Sequence, residues 1–389
     1  MPATTAPTAL LECFAAVAPG LEALALADAR AVGLPAQLAV GGGGISWTGD
    51  LRLLILANAT LRIASRVVVR LAAFEARSFA ELERHARRVP WARVVGANAR
   101  VRFRVTCKKS KLYHSDAVAQ RMADALVRAL PGVRAEGSSV GEDEPDDGDD
   151  AQLVVVRLLR DHCTVSADSS GALLHRRGYR QATAKAPLRE TLAAALLAAS
   201  EWDGRSPLVD PLCGSGTILI EGALIADRIA PNQSRRFAME RWPNVPSSML
   251  DEVRSKLVGE KLRASGHIGG SDRDAGAIAS ALANAERAGV ADRVELVVQA
   301  LSAAAFPGST TGWVVTNPPY GVRVGDAHGV RDLWAQLGHV LRARAPGWRL
   351  AILSPDVALE RELRIPLQCV TRTTNGGIPI RIMTGQVPG

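Results

Sequence analysis

The first half of the chain mixes short apolar runs with amphipathic stretches. Leu10–Val17 reads as a strand, Pro19 opens a helix, and two strands are expected across the turn at Gly41–Gly44. Asp50 stands at a cap position before the apolar run Leu51–Ser65, which predicts a second helix. A basic strand follows, then a helix introduced by the capping box Ser78-x-x-Glu81. Another helix begins after Ser115, with Val118, Met122, Leu126 and Leu130 recurring at intervals of four, a stripe that reads as core. Leu153–Leu159 and Cys163–Ala167 predict a closing pair of strands.

Beyond residue 168 the pattern becomes β/α alternation, which predicts a parallel sheet. Its strands are Pro207–Asp210, Ile268–Asp272, Val294–Ala300, Gly312–Asn317 and Arg349–Ser354. Asn375-Gly-Gly377 then predicts a hairpin turn before Ile378–Thr384, a closing antiparallel strand. The expected organisation is a small α+β part over 1–52, a basic α+β part over 53–167, and an α/β domain over 168–389.

Two strand ends carry chemistry. Asp210-Pro-Leu-Cys-Gly-Ser-Gly-Thr217 is a glycine turn opening a helix, suited to close approach of a nucleoside cofactor. Leu219 stands where a third glycine would complete a dinucleotide fingerprint, which argues against NAD or FAD. Asp272, ending the next strand, is placed to accept hydrogen bonds from ribose hydroxyls, whereas Asp274 suits a helix cap. The 62 residues from Asp210 to Asp272 require an insertion, supplied by Arg228–Arg263 with Phe237 and Trp242. At the second strand end, Asn317-Pro318-Pro319-Tyr320 offers an amide oxygen, a rigid corner and a stackable ring. Strand ends of this kind line the ligand crevice of open α/β sheets.

Net charge is +8, but Gly141–Asp150 holds seven acids in ten residues, and setting these aside leaves +15 on the rest. That acidic run reads as a solvated loop. Arg66–Arg128 carries fifteen Arg and Lys against five Asp and Glu. Within it Arg100, Arg102 and Arg104 share one face of a strand that leads into Lys108, Lys109 and Lys111, a phosphate-binding pattern. The five cysteines are scattered and the seven histidines form no ligand cluster, so neither a metal site nor a disulfide framework is expected. With no signal peptide or long apolar span, a cytoplasmic protein with no membrane partner is expected.

The order Arg177-Gly-Tyr-Arg180, Ala186-Pro-Leu-Arg-Glu-Thr-Leu192, glycine turn and Asn-Pro-Pro-Tyr resembles the THUMP-containing class I methyltransferases that make N2-methylguanine in RNA, closest to the bacterial 23S rRNA enzymes of the RlmL type. Pro19–Glu22, Gly44–Asp50 and Leu61–Arg66 extend the resemblance almost to the start of the chain. It implies a ferredoxin-like and THUMP RNA-binding half before a Rossmann-like methyltransferase sheet, with S-adenosylmethionine as cofactor. On this resemblance Asp210, Cys213, Gly214, Ser215, Gly216, Thr217, Asp272, Arg273 and Pro187 lie against the cofactor. Asn317, Pro318, Pro319 and Tyr320 hold the target guanine, and Arg177 and Tyr179 line the RNA path together with the basic residues above. An acid usual in relatives for the adenine amine is replaced by Ala300, leaving Gln299 or backbone for that contact. The expected partner is 23S rRNA or a pre-ribosomal particle. A tRNA guanine-N2 enzyme, a DNA adenine-N6 methyltransferase and a non-catalytic RNA-binding protein are the alternatives.

Overall fold

The computed structural model describes residues 10–139, 150–181, 188–257, 266–307, 311–320 and 327–389. The acidic run before Asp150, and Pro187, lie outside these residues. The chain begins with β1 (Leu11–Ala16), α1 (Glu22–Ala31), β2 (Gln37–Leu38), β3 (Gly44–Gly49), α2 (Leu51–Thr60) and β4 (Arg66–Glu75). It continues with α3 (Phe79–Ala86), β5 (Arg100–Lys108), α4 (Ser115–Ala129), β6 (Arg134–Ser139), β7 (Gln152–Leu159) and β8 (His162–Asp168). Among the described residues these strands form one eight-stranded sheet, ordered β2-β3-β1-β4-β8-β7-β5-β6. β4 pairs with β1 on one side and β8 on the other, so the first two parts share a sheet.

Local signals explain these elements. Asp50 accepts from the Leu53 N–H at 2.9 Å and starts α2, and Ser78 accepts from the Glu81 N–H at 3.3 Å to start α3. The Glu81 carboxylate reaches back to the Arg77 N–H, and that bond lowers its pKa. α2 stops at Thr60, short of the expected Ser65, because Asp28 captures the N–H groups of Arg62 and Ile63 at 2.8 and 3.2 Å. Leu130 likewise falls just past α4 as its C-cap.

The second half contains α5 (Glu190–Ser200), β9 (Leu208–Asp210), α6 (Thr217–Ala226), α7 (Ser247–Leu257), β10 (Ile268–Asp272), α8 (Ala275–Ala288) and β11 (Glu295–Val298). β12 (Trp313–Thr316), α9 (Ala327–Arg344), β13 (Arg349–Ser354), α10 (Val357–Leu363), β14 (Leu367–Asn375) and β15 (Ile378–Gln386) complete it. The sheet order is β11-β10-β9-β12-β13-β15-β14, and of these strands β15 alone runs against the rest, pairing antiparallel with both β13 and β14. Strand order reverses between β9 and the flanking β10 and β12, the position where such sheets open a crevice. Gly376 and Gly377, at φ 56° and 83°, turn the β14–β15 hairpin as the primed turn requires.

The insertion after α6 clamps the two halves together. Phe237, Met239 and Trp242 are buried, and the Trp242 indole donates to Gln152 at 2.8 Å. Met239 N–H reaches the Ser169 carbonyl at 3.1 Å, and Asn232 N–H reaches that of Ala59 at 3.1 Å. The Arg177-Gly-Tyr-Arg180 segment is also interior. Arg177, 4 % exposed, donates to the carbonyls of Leu174 and Arg62 at 2.6 and 2.5 Å and lies 3.5 Å from Glu221 of α6. Tyr179 is equally buried and donates its hydroxyl to Glu221 at 3.1 Å. These contacts correct the expectation that Arg177 and Tyr179 line an RNA path, since neither presents a surface to RNA. Removing one partner of a buried ion pair strands the other charge. Arg177→Met should therefore lower stability by roughly 3–5 kcal/mol, read as an earlier midpoint in urea unfolding.

Candidate functional site

β9, β10 and β12 run parallel and end side by side, so their last residues share one edge of the sheet. The turn leaving β9 is held from several sides. The Cys213 N–H donates to the Ser271 carbonyl at 3.0 Å and the Gly214 N–H to Asp272 Oδ2 at 3.0 Å. Asn284 of α8 donates to the Ser215 carbonyl at 3.1 Å, and Arg287 bonds both Asn284 and the Tyr179 carbonyl, at 2.5 and 2.7 Å. Gly216 caps α6 at φ 80°, a left-handed conformation that glycine adopts without strain.

This turn meets the requirements of a nucleoside cofactor. A Cβ added at Gly214 would meet nothing within 4 Å, so the backbone there is open to close approach. Asp272 stands beside it, half-buried, with Oδ1 accepting from the Asp274 N–H at 2.9 Å. Each of its oxygens keeps a lone pair for a hydroxyl donor. Arg273 next to it is exposed. Cys213, Ser215 and Thr217 are buried, so their side chains pack inward and only their backbone is left for a ligand. Burial raises the Cys213 thiol pKa, which disfavours the thiolate and fits a packing residue. The Gln299 amide donates to the Ala303 carbonyl, a bond that leaves its oxygen as an acceptor.

Asp210 plays a different part from the one expected of it. It is 2 % exposed, and its Oδ1 accepts from the Thr316 hydroxyl at 2.7 Å and the Leu212 N–H at 3.1 Å. The carboxylate thus ties the cofactor strand β9 to β12, just before Asn317, rather than facing a ligand. Thr316, the other half of this tie, stands at the head of the Asn-Pro-Pro-Tyr segment, but nothing in the sequence linked its hydroxyl to Asp210.

At the end of β12 the amide oxygen of Asn317 is buried and, among the described residues, has no hydrogen-bond partner. Pro318 is buried and Pro319 exposed, and the Pro319 carbonyl accepts from the Trp334 indole at 3.3 Å. Tyr320 is half-buried, and its hydroxyl accepts from the Asn375 amide at 2.8 Å. Asn375 was legible as part of a turn, but nothing in the sequence aimed it at Tyr320.

The basic surface sits lower on the first sheet than the strand pattern implied. Arg100 and Arg102 pair with Glu136 at 3.1 and 3.4 Å, and Arg102 and Arg104 are partly buried. Lys108, Lys109 and Lys111 are exposed at the strand's end beside the β7–β8 turn. Exposed Arg77 and Arg160 lie at the same tip, and Tyr113 is 70 % exposed there.

The comparisons with known proteins agree with this architecture. Residues 12–68 match the RlmL ferredoxin-like domain, 76–168 the THUMP domain, and 177–376 the RMKL-like methyltransferase domain. The chain belongs to the RMKL-like methyltransferases. It is 32 % identical to slr0064 of Synechocystis, assigned as an RNA methyltransferase, with 95 % of each chain covered. It is also 32 % identical to the ribosomal RNA large subunit methyltransferase K/L of Syntrophotalea carbinolica over 96 % of this chain, but spans only 53 % of that enzyme. The solved structure of SMU.472, assigned as a methyltransferase and complexed with SAH, superimposes with a TM-score of 0.82 at 27 % identity, covering 98 % of this chain and 99 % of that one.

Burial raises the Asp210 pKa from 3.8 to about 7, partly offset by the Thr316 hydroxyl and Leu212 N–H. A raised acid favours the folded state while protonated, so its contribution is full below pH 3.8 and is lost as pH climbs to about 7. Asn at this position keeps the acceptor oxygen that both donors use and does not ionise. Asp210→Asn should therefore gain on the unmodified chain between pH 4 and 7, by on the order of 2–4 kcal/mol at the upper end, in denaturant unfolding at stepped pH.

Proposed function

We propose that this protein methylates the exocyclic N2 of a guanine in RNA, with 23S rRNA as the substrate. The observation that carries the proposal is the buried Asn317 oxygen at the end of β12, which has no partner among the described residues. An orphaned buried acceptor costs roughly 1–3 kcal/mol, which a donor in the substrate would relieve. An exocyclic amine is such a donor, and the neighbouring Pro318 carbonyl offers a second acceptor. The large-subunit rRNA relative and the THUMP match support RNA, and 23S rRNA in particular, as the carrier of that amine.

S-adenosylmethionine is the methyl donor and supplies an electrophilic methyl on a sulfonium. The glycine turn and Asp272 would hold its nucleoside part, by backbone approach at Gly214 and by the carboxylate. The guanine amine is a weak nucleophile because its lone pair is delocalised into the ring. Asn317 Oδ1 and the Pro318 carbonyl, aimed at its hydrogens, offset positive charge growing on nitrogen. The Pro-Pro corner, held by Trp334, keeps these acceptors in place so that little reorganisation is needed. Tyr320 stacks on the base, which must leave its own stack to enter. The proton then passes to water, because the methylated amine is strongly acidic.

Asn317→Ala should lower the methylation rate about a hundredfold with near-normal affinity for cofactor and RNA. Tyr320→Ala should also raise KM, since stacking holds the base before reaction. The assay is transfer of labelled methyl to RNA, followed by digestion and identification of the nucleoside. N2-methylguanosine supports the proposal, and N6-methyladenine would replace it with adenine chemistry.

The exposed lysines at the tip of the first sheet supply phosphate contacts that carry affinity without sequence information. Replacing Lys108, Lys109 and Lys111 together with Ala should weaken RNA binding. It should also flatten the slope of log affinity against log salt by about 2 to 3, in anisotropy titrations across a salt series.

A further inference from the structure

The hairpin of β14 and β15 touches both halves of the molecule. At its tip the Asn375 amide donates to the Tyr320 hydroxyl at 2.8 Å. Asn375 opposes Ile378 across the turn, so its backbone lies in the ladder and its side chain is free to be spent on that bond. Four residues earlier, Thr371 donates its hydroxyl to the Gly20 carbonyl at 2.6 Å, in the turn between β1 and α1. The approach there is close: a Cβ on Gly20 would fall 1.9 Å from the Arg372 carbonyl oxygen. Among the described residues β14 is an edge strand, bonded to the sheet through β15 alone, with a register shift between Cys369 and Thr371. The ladder to β15 holds β14 on one side, the Gly20 contact braces its middle, and the Tyr320 bond lies at its tip.

We propose that Asn375 is a positioning residue for the base pocket: it fixes the Tyr320 ring, and β14 relays the placement of the amino-terminal half to that ring. This rests on the reading of Tyr320 as the stacking surface for the target base. A tyrosine ring after a Pro-Pro corner still turns about two side-chain bonds, and stacking in line with the methyl donor uses one setting of them. One neutral hydrogen bond is worth about 0.5–1.5 kcal/mol, enough to bias that setting severalfold. Asn375 touches neither reacting atom, so its effect must pass through Tyr320.

The test uses the full chain with labelled S-adenosylmethionine and either 23S rRNA transcript or bulk tRNA, whichever the unmodified chain labels. Asn375→Ala and Tyr320→Phe each remove the same bond from opposite sides. Each should raise the KM for RNA about three- to tenfold, with kcat changed less than twofold and calorimetric cofactor affinity unchanged. The double variant should be no worse than either single one. Asn375→Asp should restore KM when Tyr320 is present, because the phenol can then donate, and should fail to restore it in the Tyr320→Phe background. Additive effects, or rescue that ignores the phenol, would overturn the proposal while leaving the pocket reading intact. Tyr320→Ala with unchanged kcat/KM would overturn both. If Asn375→Ala does not fold, the KM of Tyr320→Phe decides between these outcomes on its own, an unchanged value overturning the proposal.

Discussion

Glu221 is fully buried one turn inside α6, the helix that the glycine turn opens, and it meets Arg177 and the Tyr179 hydroxyl there. Arg177 in turn holds the Arg62 carbonyl, in the segment where Asp28 ends α2. The amino-terminal half, the linker and the cofactor helix thus converge on one buried polar knot. Buried charges are costly unless paired and hydrogen-bonded, so the knot forms only when all three parts are in place. From it the constraint runs outward. The Tyr179 carbonyl holds Arg287, Arg287 holds Asn284, and Asn284 holds the Ser215 carbonyl of the glycine turn. The shape of the turn depends on side chains far from any cofactor.

A second tie, between Thr316 and Asp210, joins the two chemical ends of the site. Parallel strands fix the height of their own ends but not the loops that leave them. The hydroxyl–carboxylate bond restrains the start of both loops, so the Gly214 backbone and the Asn317 amide keep one spacing. Methyl transfer needs donor and acceptor aligned within a fraction of an ångström, and a buried strut is well suited to that.

The elements with a local cause were the ones the sequence made plain. Asp50, Ser78 and Asp274 cap helices through bonds to N–H groups two or three residues on, and each was readable from residue type and spacing alone. The strand ends carrying Asp210, Asp272 and Asn317 were equally legible, because glycine turns and Pro-Pro corners punctuate apolar runs. What escaped depends on partners distant in the chain. Asp28 truncating α2, Gln152 receiving Trp242, and Arg177 turning inward are contacts across 34, 90 and 115 residues. An arginine in a loop has the composition of a surface residue, and only the arrangement of carbonyls around it makes it core.

The same distinction divides the site residues by kind. Gly214, Asp272 and Asn317 would act on ligands directly, and each has an unspent capacity: open space over a backbone, spare lone pairs, an orphaned acceptor. Asp210, Cys213, Ser215 and Thr217 belong to the same sequence motif but have buried side chains, which fix the backbone of that motif. A motif records both groups together, since losing either one spoils the turn. Burial separates them. Substitutions at the inward-facing set should register first in stability, and those at the outward-facing set first in binding or rate, even where the two kinds are adjacent in the chain.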